Sequence, residues 1–315
     1  GTAPPVDPPP RSSAGSGPPW DVRIDHLQVA DAEGRLRSPG DSTATGAVPT
    51  ELAWSDVHLA ASDVSLGTEL GIRLDSLSGT LDVAGDSALA ALGPLQARAR
   101  GRLLDGTLGV DTVEVTGPEA RLAGAGELAF PDTTSASDSL RFHLEGSGLP
   151  LAPLHVFLGN PADAEARLDA EVDFTGTSAN PAASLELRTT AGGRVSGWLR
   201  SGDAPATAEG SGTRYSAELE MAALDPATFL GDTVWAGAVG GALELDLAGS
   251  GADRMTGHLD LRLDPVDLSG VPLRSARLES RWIEGEARLE MQALGDGLRA
   301  ELSGTARPLD SVPAY

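Results

Sequence analysis

Residues 120–130, ARLAGAGELAF, place Ala120, Leu122, Gly124, Gly126, Leu128 and Phe130 on one parity, with Arg121 and Glu127 on the other. A period of two marks a half-buried β-strand, apolar on one face and wetter on the other. Such segments follow one another along most of the chain. In the first half the apolar parity holds Val22, Ile24 and Leu27, then Ile72 and Leu74, then Leu108 and Val110, then Leu122 and Leu128. In the second half it holds Leu168, Val172 and Phe174, followed by Leu185 and Leu187. Leu243, Leu245 and Leu247, and then Leu259, Leu261 and Leu263, complete the set. These positions are the candidate lining of one continuous apolar surface. Between the leucines stand Glu186, Glu244 and Asp260, which the alternation turns toward water. The pattern predicts roughly 18 strands and two very short helices.

One small phrase breaks the alternation. Ile24-Asp25-His26-Leu27, Leu74-Asp75-Ser76-Leu77 and Val110-Asp111-Thr112-Val113 each step three residues between apolar positions. Looser copies lie at Trp54-Ser55-Asp56-Val57 and Leu273-Arg274-Ser275-Ala276. A straight strand would throw its second half onto the wrong face. One extra residue, a β-bulge, restores the face and bends the strand. A turn joining two short strands is the competing reading, but it would usually want Gly or Asn as well.

A longer repeat joins residues 153–177 to 226–250, with Phe157 and Phe229 standing 72 residues apart. In each copy a proline opens a short apolar segment that glycine closes, and a strand follows. Asp225, Pro226 and Gly231 read as the N-cap, first-turn proline and terminating glycine of a helix of one or two turns. A second helix is expected near 153–158. The period suits modules of several strands plus a linking helix, clearest at 153–225 and 226–300. Residues 1–19, GTAPPVDPPPRSSAGSGPP, read as a Pro/Gly/Ser linker with nothing to bury, so the repeat region is 20–315 and the chain reads as a fragment of a longer one.

Composition changes the picture in two ways. Aromatic residues are few, 5 Trp, 2 Tyr and 5 Phe, so the apolar surface is aliphatic and thin for a filled core. Acidic residues outnumber basic ones 46 to 23, for a formal charge of −23. That field argues against nucleic acid and against docking on anionic membranes. No Cys occurs, which excludes disulfides and thiolate chemistry. The sequence has no recognisable signal peptide and no apolar run long enough to span a bilayer as a helix.

Catalytic chemistry is not legible. His26, His58, His143, His155 and His258 are scattered, and none has metal-ligand spacing to another. Asp260, Asp264 and Asp267 do not match a calcium loop. Residues 210–216 and 123–127 are glycine-rich without opening a helix, and Ser147 sits between glycines without a nucleophile elbow or base. No enzyme, cofactor or metal site is expected.

What covers the apolar faces is then the main question. A β-sandwich needs bulky side chains to fill a layer about 10 Å thick. A β-helix would repeat near every 20 residues. A membrane barrel would want aromatic girdles. A long curled sheet with an open greasy face remains, and alkyl chains are its natural filler.

The phrases VRIDHLQV (22–29), IRLDSLSGTL (72–81), LPLAPLHVFLG (149–159) and NPAASLELR (180–188) resemble the AsmA-like proteins, and within them the TamB-type translocation and assembly module proteins of Gram-negative bacteria. The resemblance implies an all-β, U-shaped repeat sheet with an open hydrophobic groove and very short linking helices. It implies a periplasmic segment that conducts phospholipid between inner and outer membrane. It also implies an inner-membrane anchor outside this fragment and an outer-membrane β-barrel as a possible partner. A structural or interaction module carrying no lipid, such as an adhesin or scaffold sandwich, is the alternative expectation.

Overall fold

A computed structural model describes residues 22–37, 51–66, 70–84, 93–104, 106–129, 138–151, 166–204, 212–230, 236–250, 254–268 and 271–306. These residues form one antiparallel sheet of 16 strands, each bonded to its neighbours in sequence order from β1 to β16. The protein is all-β, and the sheet curls. In order, β1 to β4 are Val22–Arg37, Glu51–Leu66, Gly71–Ala84 and Leu95–Leu104. Strands β5 to β8 are Thr107–Thr116, Arg121–Ala129, Ser139–Pro150 and Arg167–Gly176. Strands β9 to β12 are Pro181–Thr189, Arg194–Asp203, Thr213–Leu224 and Gly237–Gly249. The last four, β13 to β16, are Thr256–Leu268, Val271–Ile283, Glu286–Gly295 and Leu298–Ala306. The alternation counts roughly 18 strands, and the described residues hold 16.

Four of the five parity breaks carry bulges, and the ladder shifts elsewhere too, at Ser62/Ser65, Gly146/Leu149, Met221/Leu224 and Val239/Gly241. Register shifts bracket Asp75 between Leu74 and Leu77, and Asp111 between Val110 and Val113. Another lies between Ser55 and His58, where Asp56 takes a left-handed φ of 53°. The fourth lies between Leu273 and Ser275. Asp25 differs. Ile24 and His26 keep one register with Val64 and Ser62, because β2 carries its own extra residue there, Asp63. The shift in β1 comes later, near Asp31, which also has positive φ, 54°.

The expected helix at 226 is present as Pro226–Leu230. Asp225 caps it: its Oδ1 accepts the amide of Ala227 at 3.1 Å and that of Gly237, the first residue of β12, at 3.1 Å. The cap therefore fixes helix and strand together. The helix expected near 153–158 and the linker 1–19 lie outside the described residues.

Burial is sparse, as a single layer requires. Leu151 and Val266 are the only large side chains that are fully buried among the described residues. Leu151, Ala166 and Leu168 form a buried cluster, with Leu149, Ala170 and Leu187 packed on it. Val239 and Val266 face each other across β12 and β13 and are 5% and 2% exposed. Both of these spots lie at the same ends of the strands, where β7 and β11 finish, and Ala61 and Val64 of β2 are buried as well. A sandwich would bury whole rows, and this sheet does not.

Candidate ligand-binding face

Tracing partners across the ladder shows what the alternation builds. On one face Val29, Leu59, Leu77, Ala99 and Val113 stand opposite one another from β1 to β5. The line continues through Gly124, Leu144, Val172, Leu185 and Gly197 on β6 to β10. It ends with Leu219, Leu243, Leu261, Leu278, Met291 and Leu302. Not one polar side chain interrupts it. The row on one side, from Gly79 through Leu122, Leu187 and Leu263 to Ala300, is apolar on every strand it crosses. The row on the other side, from Leu27 to Gly304, is apolar except at Ser280.

Every position read from the sequence as lining falls on this face. Leu168 is the buried exception, while Val22, Leu27 and Leu108 are exposed and the rest are half-buried. The bulges make this possible: without the extra residue at Asp75, Ile72 and Leu77 could not share a face. Apolar surface left half-open over a whole sheet costs solubility, so it ordinarily serves a ligand or partner.

The floor is thinnest around β6. Phe142 faces Gly126 on β6 and Phe174 on β8. An added Cβ on Gly126 would lie 2.3 Å from the Phe142 ring and 2.4 Å from the Arg141 carbonyl oxygen. The ring therefore lies down over Gly126 instead of standing up from the sheet. At the edge of the face Tyr215 and Trp282 occupy one row, with Leu247 and Gly257 between them. Both carry an apolar body with a polar tip, which suits a boundary between grease and water.

The opposite face carries charges of both signs, and on the later strands its carboxylates line up. Glu218, Glu244, Asp260, Glu279 and Glu290 stand directly across from one another on five consecutive strands. Like charges in that relation repel. Arginines relieve the file at its centre. Arg277 donates to Asp260 at 3.1 and 2.9 Å and also pairs with Glu279, and Arg262 donates to Asp260 at 3.0 and 2.5 Å. Asp260 is thus not freely hydrated, as the alternation implied, but 12% exposed beneath two guanidinium groups. Hydrogen bonds from Arg277 and then Arg262 outweigh its burial and hold its pKa down at about 2. Glu186 is likewise covered in part, at 29% exposed, by Arg188 and Arg194, whereas Glu244 stays open at 59%.

Arg277→Gln should therefore destabilise the protein modestly at neutral pH, with Arg262 left as the remaining partner of Asp260. Asp260 is depressed in the folded state, so its contribution is present above 3.8 and lost as the pH falls toward about 2. The penalty of the variant should fade over that same window, which urea midpoints measured across it would read.

The register also brings together groups that spacing alone does not. His143 and Asp173 face each other across β7 and β8 and bond at 2.8 Å, which raises the histidine pKa. Glu171 joins them, and the three offer ligand atoms within 4.8 Å of one another, all exposed. The signal was the polar parity of both strands, but only the pairing reveals the meeting.

Fold and face together define the class: a single-sheet β-protein with one charged face and one open aliphatic face. No family model, no curated protein and no solved structure matches the chain. No helix among the described residues is long and apolar enough to cross a membrane.

Proposed function

We propose that this chain is a segment of a bridge that carries phospholipid alkyl chains along its apolar face, between the inner and outer membranes of a Gram-negative cell. The observation that supports the reading best is the row from Val29 to Leu302, which crosses all 16 strands without a polar side chain. Aliphatic side chains at that density make a smooth surface on which one alkyl chain position is much like the next. Movement along such a surface needs no catalytic group. The sequence resemblance to the TamB-type proteins points the same way, and it supplies the periplasmic setting, the inner-membrane anchor and the outer-membrane barrel partner as parts of the proposal. The charged outer face, with its carboxylate file, suits a surface that stays in water.

A photo-crosslinking residue at Leu261 tests this against one at Arg262, its outer-facing neighbour in β13. In cells, phospholipid should be captured at 261 and not at 262, and purified protein should release phospholipid in mass spectrometry. Equal labelling at both positions, or none at 261, would remove the proposal's support.

A further inference from the structure

Among the three apolar rows, one side chain does not belong. Ser280 faces Leu259 on β13 and Leu289 on β15, in the row that runs from Leu27 to Gly304. It is 4% exposed, and its Oγ is buried with no hydrogen-bond partner. A buried hydroxyl without a partner is a standing cost to the fold, and native proteins retain few of them. Alanine would fill the same place without that cost.

The surroundings say what the hydroxyl could meet. Ser280 lines a hollow of about 500 Å³ with Gly257, Leu259, Trp282 and Ile283, and with His258, Asp260, Glu279 and Arg281, whose side chains the strand alternation turns to the other face. Leu259, Leu278, Trp282 and Leu289 surround it and are themselves half-buried, so its cover is made of side chains that stand open to solvent. Arg262 and Arg277 bond to Asp260 on the opposite face, and Arg281 follows Ser280 on that same outer parity. A carboxylate or phosphate beside Ser280 would thus be desolvated without a cation, which is prohibitive. A neutral acceptor fits instead. The site also lies one row inside the row of Tyr215 and Trp282, near the Ile283–Glu286 turn, between the aliphatic floor and the wet edge. In an acyl lipid the group found between alkyl chain and polar head is the ester.

We infer that Ser280 is a hydrogen-bonding anchor for the ester carbonyl of an acyl-chain lipid whose alkyl chain lies over Leu259, Leu261 and Leu278. This rests on the alkyl-carrying role proposed above. The hydroxyl donates to the carbonyl oxygen, and no bond is made or broken. The anchor makes this part of the face a pausing place on an otherwise featureless path.

Two phosphatidylcholines with the same head group and chain length, one ester-linked and one ether-linked, separate the possibilities when bound from vesicles by the whole chain. The ether lipid lacks the carbonyls. Wild type should hold the ester lipid on the order of fivefold more tightly, the worth of one ordinary hydrogen bond. Ser280→Ala should erase that preference by weakening ester binding alone, while Ser280→Thr, which keeps a hydroxyl, should retain it. The carbonyl stretch of bound, isotope-labelled ester should fall in frequency in wild type and not in Ser280→Ala. The alanine variant should also melt higher than wild type without lipid, so misfolding would not explain a loss. Equal binding of both lipids by wild type, or a preference that survives Ser280→Ala, overturns the anchor and leaves the alkyl-carrying role standing. Binding of neither lipid overturns both.

Discussion

Leu168→Asp should unfold the protein where Leu245→Asp leaves it folded but poor in lipid. The two leucines share the apolar parity, yet they differ in what lies over them. Leu168 is 6% exposed and belongs to the cluster with Leu151 and Ala166. A carboxylate there has no partner and no water, so a loss of about 4 kcal/mol or more is expected. Leu245 is half-buried between Ala217 and Leu259, with the face open above it. Its aspartate can stay partly hydrated, and a loss below about 2 kcal/mol is expected. Each CH₂ contact withdrawn from an alkyl chain is worth up to about 0.8 kcal/mol, so bound lipid should fall measurably. Leu187 belongs with Leu168, because it packs on the same cluster. Urea midpoints and bound lipid, measured on the same samples, decide the matter. Equal destabilisation at 168 and 245 would mean that something covers the whole face.

Gly126→Val should cost about 2–4 kcal/mol. The added carbon meets the Phe142 ring on one side and the Arg141 carbonyl on the other, and neither β6 nor β7 can retreat without breaking pairing. Combining Gly126→Ala with Phe142→Ala separates the two clashes. If the ring is the main obstacle, the double variant should be more stable than the sum of the single losses predicts. Strict additivity would place the obstacle in the backbone instead.

The fold was legible because its local rule is simple. Alternation at Leu243, Leu245 and Leu247 marks a strand and a face at once, and a three-residue step at Leu74–Leu77 marks a bulge. The helix at Pro226 was legible because Asp225 and Pro226 carry capping chemistry. Register was not legible, since strand pairing depends on partners far along the chain. The carboxylate file therefore emerged only from the ladder: Glu244 looks like one polar residue among many until Glu218 and Asp260 stand on either side. The same holds for His143 with Asp173. Asp25 leaves no register shift against β2, because Asp63 offsets it there, and only the partner strand reveals that. Ser280 did have a sequence signal, a hydroxyl on the apolar parity between Leu278 and Trp282. One serine among so many strands is too faint to single out before its burial is known.

The strict order of the strands has a consequence for how such a molecule can change size. Each strand bonds only to its neighbours in sequence, and strands β8 and β12 both follow a long connection at the same end of the sheet. Four strands thus form a unit that could be duplicated or removed without rethreading the chain. At about 4.8 Å per strand, each such event would alter the span by about 19 Å. Reach is set by copy number, in steps, while the cross-section stays the same.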